Sequence, residues 1–101
     1  MNEYKIFETE GFLEDLEQDF KGRQEKIRAK LNSYVYPQLK QQPYFGPHIV
    51  KLVDYKYDTW RYRIGDWRFF YEIDKHKKIV FMIAADDRDE AYKSALFTMA
   101  G

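Results

Sequence analysis

The stretch that most constrains the fold is Trp60 to Asp74, WRYRIGDWRFFYEID. Apolar and polar residues alternate on either side of Gly65-Asp66, and a Gly-Asp pair between two such runs signals a β-hairpin. A turn this short fixes the register of both strands. Ile64 then stands opposite Trp67, Arg63 opposite Arg68, Tyr62 opposite Phe69, Arg61 opposite Phe70 and Trp60 opposite Tyr71. One face carries Trp60, Tyr62, Ile64, Trp67, Phe69 and Tyr71 and is predicted to be the core face. The other carries Arg61, Arg63 and Arg68, with Phe70 and Glu72 beyond them.

Arg63 across from Arg68 works against stability, because like charges directly opposed on paired strands repel. The arrangement predicts a compensating group, either an internal carboxylate or an external anion. Two readings follow. In one, the arginines are a solvated strand face balanced by Glu72 and nearby aspartates, as charged strand residues usually are. In the other they form a phosphate site.

Length and charge narrow the field. A chain of 101 residues is read as one domain over 1–101. It holds no cysteine, which removes disulfides, thiolate nucleophiles and cysteine-bound metal. No apolar run reaches the length of a membrane span, and MNEYKIFETE does not resemble a signal peptide. A soluble, cytoplasmic protein with no membrane partner is expected. Lysine and arginine total 17 against 17 aspartates and glutamates. A general nucleic-acid coat would be basic, so any nucleic-acid contact here must use a local patch. Four of the six arginines, Arg61, Arg63, Arg68 and Arg88, lie in the second half of the chain.

Around the hairpin, the chain reads in order. Tyr4 to Phe7 is a short strand, and Thr9 is placed to cap a helix from Gly11 to Phe20 with Phe12, Leu13, Leu16 and Phe20 at helical spacing. Lys21-Gly22 breaks that pattern. A second helix runs from about Arg23 to Gln41 with Ile27, Leu31, Tyr34, Val35 and Leu39 as its apolar stripe, and the two helices are expected to form an antiparallel hairpin. QPYFGP, from Gln42 to Pro47, is a loop by its prolines and glycine. Ile49 to Tyr55 alternates as a strand, and Tyr57-Asp58-Thr59 turns it into the central hairpin. Lys75-His76-Lys77 is another turn, and KIVFMIAA, Lys78 to Ala85, reads as a strand covered on both faces. Asp89 then caps a last helix from Glu90 to about Ala100, with Ala91, Tyr92, Ala95 and Leu96 inward. Trp60, Tyr62, Phe69, Tyr71, Phe81 and Ile83 are expected to be largely buried. The fold class is α+β: an N-terminal strand and helical hairpin packed on a mainly antiparallel sheet, in the order β-α-α-β-β-β-β-α.

The sequence contains no glycine-rich phosphate loop, no Ser-His-Asp arrangement and no metal-ligand spacing, so neither metal nor cofactor is expected. His48 and His76 read as surface residues of a loop and a turn. Asp86-Asp87 reads as loop and cap residues placed to neutralise Arg88.

The order of elements, together with WRYRIGDWRFFYEID and KIVFMIAADDRDEAY, resembles the RelE/ParE superfamily of toxins from type II toxin–antitoxin systems. The likeness runs from Tyr4-Lys5-Ile6 through the P-Y-F-G-P loop before Ile49-Val50-Lys51-Leu52 to Arg88-Asp89-Glu90-Ala91-Tyr92. Its most specific parts are Arg61-x-Arg63-Ile64-Gly65-Asp66-x-Arg68, then Tyr71-Glu72-Ile73, and Arg88-x-x-x-Tyr92. The resemblance implies a RelE-like fold and one of two activities. RelE-type members cut messenger RNA in the ribosomal A site without metal: the ribose 2′-OH attacks its own 3′ phosphate, basic side chains hold the phosphate, and a tyrosine or another group assists proton transfer. ParE-type members poison DNA gyrase and are not nucleases. Both kinds are neutralised by an antitoxin protein. On this likeness Arg61, Arg63, Arg68, Arg88 and Tyr92 are the site residues of an endoribonuclease (mRNA interferase) that binds RNA and inhibits translation. The alternatives are a gyrase inhibitor, or a degenerate member that binds antitoxin and operator alone. Asp86 stands where RelE has an arginine, and Asp87 where many nuclease members have a histidine.

Overall fold

The computed structural model describes residues 3–20, 22–52 and 58–87. They form strand β1 (Lys5–Glu8), helix α1 (Glu10–Asp19), helix α2 (Gln24–Lys30), a π-helical turn over Leu31–Val35, and helix α3 (Tyr36–Gln41). Strands β2 (Ile49–Lys51), β3 (Trp60–Ile64), β4 (Trp67–Asp74) and β5 (Ile79–Asp86) follow. The sheet order is β1-β5-β4-β3-β2. β2 to β5 are an antiparallel meander, and β1 joins β5 in parallel. This is the expected α+β architecture. The expected helix from Glu90, and the part of the Ile49–Tyr55 strand beyond Leu52, lie outside the described residues.

Thr9 caps α1 as expected. Its Oγ1 accepts from the Phe12 N–H at 3.3 Å, satisfying one of the orphan donors of the first turn. The same hydroxyl donates to the Met82 carbonyl at 2.8 Å, which fixes the start of α1 on β5. Asp15, one turn further on, accepts from the Ala85 N–H at 3.0 Å. Phe12, Leu16 and Phe20 are buried, whereas Leu13 lies at the margin of the stripe and is 43% exposed.

The second helix contains a feature the periodicity did not predict. The Tyr36 N–H bonds to the Leu31 carbonyl, five residues back, which widens the turn. Pro37 supplies the cause: it has no N–H, and in a regular helix its ring crowds the carbonyl four residues earlier. A π-turn just before it relieves the crowding. The extra residue also rotates the stripe. Tyr34, expected inward, is 58% exposed, and Tyr36 is buried in its place beside Leu31, Val35 and Leu39.

The hairpin has the register deduced from its turn, pair for pair from Ile64 opposite Trp67 to Trp60 opposite Tyr71. Gly65 adopts φ +56° while Asp66 does not take a positive φ. That is the pattern of a II′ turn, which places glycine first and matches the twist of the strands. Tyr62, Phe69 and Tyr71 are buried, and Trp60, Ile64 and Trp67 are half-buried against the same core.

β5 departs from simple alternation. Phe70 pairs with Ala84 but Tyr71 pairs with Met82, so Ile83 is an extra residue, a β-bulge. Val80 and Met82 face the core before the bulge and Ala85 faces it after. Phe81, on the opposite face, and Ile83, in the bulge, are therefore half-buried rather than largely buried. The bulge has a larger effect. An unbroken alternation would send Asp86 into the core with Val80 and Met82; the added residue turns it to the other face, directly across from Arg68.

Candidate nucleic-acid interface

β3 and β4 position the arginines, because residues one apart on a strand point to opposite faces. Arg61, Arg63 and Arg68 share the face away from α1, as the hairpin register requires. Their environments differ sharply.

Arg63 is exposed. Its Nε donates to the Gly65 carbonyl at 3.0 Å, and its backbone N–H donates to the His48 carbonyl at 2.9 Å. Arg61 is half-buried, opposite Phe70 on one side and Val50 on the other. Its Nε is enclosed and makes no hydrogen bond among the described residues. A buried donor left without an acceptor costs about 1–3 kcal/mol. Arg68 is buried, 3% exposed, and its Nη1 donates to the Asp66 carbonyl at 3.0 Å. It stands between Arg63 on β3 and Asp86 on β5, and Asp86 is 5% exposed. The like-charge pair read from the hairpin is present, and the position of Asp86 fits an internal carboxylate as its compensation. Arg88 and Tyr92 lie outside the described residues.

Carboxylates gather at the end of β5. Asp87 pairs with Arg23. Burial raises the Asp15 carboxyl above its ordinary range despite the opposing effect of the Ala85 N–H. Burial, and then the charge of Asp87, raise Asp19. On the helix-facing side, Tyr62 donates to Gln38 at 2.8 Å and Tyr71 to the Pro43 carbonyl at 2.7 Å. Burial pushes both phenols up. Guanidinium groups donate to phosphate oxygens in pairs and do not give up their protons. The arginine side can therefore hold an anion and its growing charge, while a proton must move through another group.

Two further groups escaped the sequence reading. Glu8 accepts from both Arg28 and the Tyr36 hydroxyl. Burial lowers Arg28, but the bond to Glu8, the charge of Glu8 and the neighbouring Tyr36 together outweigh it and the net shift is upward; burial and Glu8 together raise Tyr36. These residues come from β1, α2 and α3, and no local spacing links them. Phe45, in the loop before β2, is 74% exposed; a lone phenylalanine among prolines and glycine gave no signal beyond "loop".

Residues 9–92 match the model of a family described as ParE toxin of type II toxin–antitoxin system, parDE. No curated protein sequence matches the chain. Among solved structures, the toxin–antitoxin complex RelBE2 from Mycobacterium tuberculosis is similar over 85% of this chain and 99% of that one, at 22% identity and a TM-score of 0.69. An E. coli RelE mutant in the free state, with two arginines replaced by alanine, is similar over 97% of this chain and 94% of that one, at 19% identity and a TM-score of 0.63. The intact E. coli RelBE toxin–antitoxin complex matches over 85% and 98%, at 18% identity and a TM-score of 0.57. At such identities the likeness is one of fold. Among the described residues, no helix is long and apolar enough to cross a membrane.

Proposed function

This chain belongs to the ParE toxin family of type II toxin–antitoxin systems, and from that premise we propose that it acts as a ribosome-dependent endonuclease on messenger RNA. The observation that carries this reading is the pair on β3: half-buried Arg61 and exposed Arg63, two residues apart on one face of the sheet. A phosphate bound on that face would draw on two guanidinium groups at once. In the reaction the ribose 2′-OH attacks the adjacent 3′ phosphorus, the bond to the 5′ oxygen of the next nucleotide breaks, and charge builds on the phosphoryl oxygens. Arg61 and Arg63 stabilise that charge. Arg68 contributes from behind as a buried positive group beside Asp86. Arg88 and Tyr92 enter by resemblance, Arg88 as a further phosphate contact and Tyr92 as the group assisting proton transfer. The cellular partner that restrains the activity is an antitoxin protein, as in the RelBE complexes of similar fold.

The test is induced expression of the parent, Arg61→Gln and Arg63→Gln, followed by mapping of messenger RNA ends. Codon-phased cuts in the parent, lost in both variants with no drop in melting temperature, are the expected result. A second reading, inhibition of DNA gyrase, is favoured by the family description and by the buried Asp86, whose charge weakens an anion site. Intact messages together with broken chromosomes would sink the nuclease reading and leave that one.

A further inference from the structure

We propose that the lysine-rich end of the sheet, made by Lys5, Lys40, Lys75, Lys77 and Lys78, is a docking surface for the phosphate backbone of ribosomal RNA, separate from the arginine pair; the inference rests on the nuclease reading above. All of these lysines are exposed. They come from β1, the end of α3 and the turn between β4 and β5, and two backbone bonds draw those elements together. The Tyr4 N–H donates to the Lys40 carbonyl at 2.8 Å, and the Lys5 N–H donates to the Lys78 carbonyl at 2.8 Å. The Lys78 ammonium lies 4.8 Å from the centre of the Tyr4 ring. The Lys77 N–H bonds to Asp74 Oδ1 at 2.9 Å, which closes the turn. Among the described residues, none of these lysines forms an ion pair with a carboxylate.

Two observations set this end apart from an ordinary solvated face. The first is that charge is segregated along β5. Lysines gather where the strand begins, at Ile79, and Asp15, Asp19, Asp86 and Asp87 gather where it ends. A molecule with 17 positive and 17 negative side chains thus has one end that attracts a polyanion and one that repels it. That asymmetry orients an approach to RNA which zero net charge alone cannot steer. The second is Lys78, whose φ of +59° is a left-handed conformation that no other described non-glycine residue adopts. Glycine or asparagine takes it more readily, so a lysine there keeps a positive charge in the turn against the preference of the backbone. Arg68 and Asp74 stand six residues apart on β4, roughly 20 Å of strand. One phosphate cannot reach both ends, so the lysines hold a different stretch of backbone from the one that is cut. Lysine suits that task, because it meets phosphate as a point charge without the fixed geometry of a guanidinium. It supplies attraction where the arginine side, with its aspartates, has least.

The experiment measures co-sedimentation of the whole protein with purified ribosomes at several salt concentrations, with a DNA duplex as a second polyanion. Lys75→Gln combined with Lys77→Gln should weaken ribosome binding and lower the salt slope by about two, one for each lost contact, with no drop in melting temperature. Lys75→Arg combined with Lys77→Arg should bind as the parent does. Lys78→Asn should weaken binding with no drop in melting temperature, which separates its charge from any structural role. Lys26→Gln combined with Lys30→Gln, on α2, should leave the slope unchanged. If the glutamine pair in the turn binds ribosomes as the parent does while messages are still cut in codon phase, the docking role is overturned and the nuclease reading stands. An equal loss from the pair on α2 makes the attraction a matter of total charge and overturns it as well. Weakened binding to the DNA duplex alone assigns the lysines to DNA and equally overturns it. If the parent binds no ribosomes and leaves messages intact, both the inference and the reading beneath it fall.

Discussion

The two sides of β4 are buried by opposite chemistry. Phe69 and Tyr71 point to the helices and meet Phe12, Phe20, Val80 and Met82 in one apolar cluster. Arg68 and Phe70, on the reverse side of the same strand, are equally enclosed, yet Arg68 carries a charge and faces Arg63 and Asp86. The apolar side needs complementary volume, and many partners can supply that. The charged side needs one particular carboxylate in one register, and a single bulge at Ile83 puts it there. Apolar burial tolerates a slip that charge burial does not.

The largest test of this contrast is Phe69→Ala. Its ring is fully enclosed and packs on Phe12 and Phe20. Removal should cost about 3–5 kcal/mol in chemical unfolding. A loss under about 1 kcal/mol would mean the helix-facing side is not the core.

Arg68→Gln comes next. An open like-charge pair would be relieved by this change, with stability unchanged or slightly raised. Burial beside Asp86 predicts the reverse, a loss of about 1–3 kcal/mol as a charged donor to Asp66 disappears. Thermal unfolding at fixed pH separates the two; a variant as stable as the parent would make the arginine side an open surface after all.

Tyr71→Phe sharpens the apolar side. It keeps the ring and removes the bond to Pro43, which should cost about 1 kcal/mol in unfolding free energy. Because that bond anchors the loop bearing Phe45, amide exchange around Tyr44 should also speed up.

The smallest effect belongs to Asp15→Asn. Burial raises the Asp15 carboxyl in the folded state, so the native protein holds this proton to higher pH than the unfolded chain. The associated stability is complete below the unfolded pKa and is lost as pH rises through the folded one. Asparagine keeps an oxygen for the Ala85 N–H and removes the charge. The variant should gain on the order of a few tenths of a kcal/mol at neutral pH, given the solvent screening of a half-exposed group, and nothing in acid. Urea titrations across the carboxylate range check both the sign and the window.

Much of this fold was legible because its central element is governed by local rules. A two-residue turn between alternating strands dictated all five cross-strand pairs of β3 and β4. Thr9 was legible as a cap for the same reason. What escaped depended on residues distant in the chain or on an added residue. The bulge at Ile83 has no mark in an apolar run where every residue suits a strand, so Phe81 and Ile83 were placed too deep and the approach of Asp86 to Arg68 was hidden. Pro37 did mark the second helix, but the π-turn that answers it exchanged Tyr34 for Tyr36 at the core. At the candidate site, the shared face of Arg61, Arg63 and Arg68 was readable from parity. The burial of one, the missing acceptor of another and the exposure of the third were not, since each depends on neighbours across the sheet.

The parallel pairing of β1 with β5 bears on how the protein is made. Lys5 pairs with Ile79, which is made 74 residues later in the chain. At roughly 5–20 residues per second, β1 waits several seconds for the strand it joins, while the β3–β4 hairpin closes within microseconds of appearing. During that interval α1 lacks β5, which takes both the Thr9 hydroxyl and the Asp15 carboxylate. The first and last described strands thus close together, and α1 is fixed only once β5 has been made.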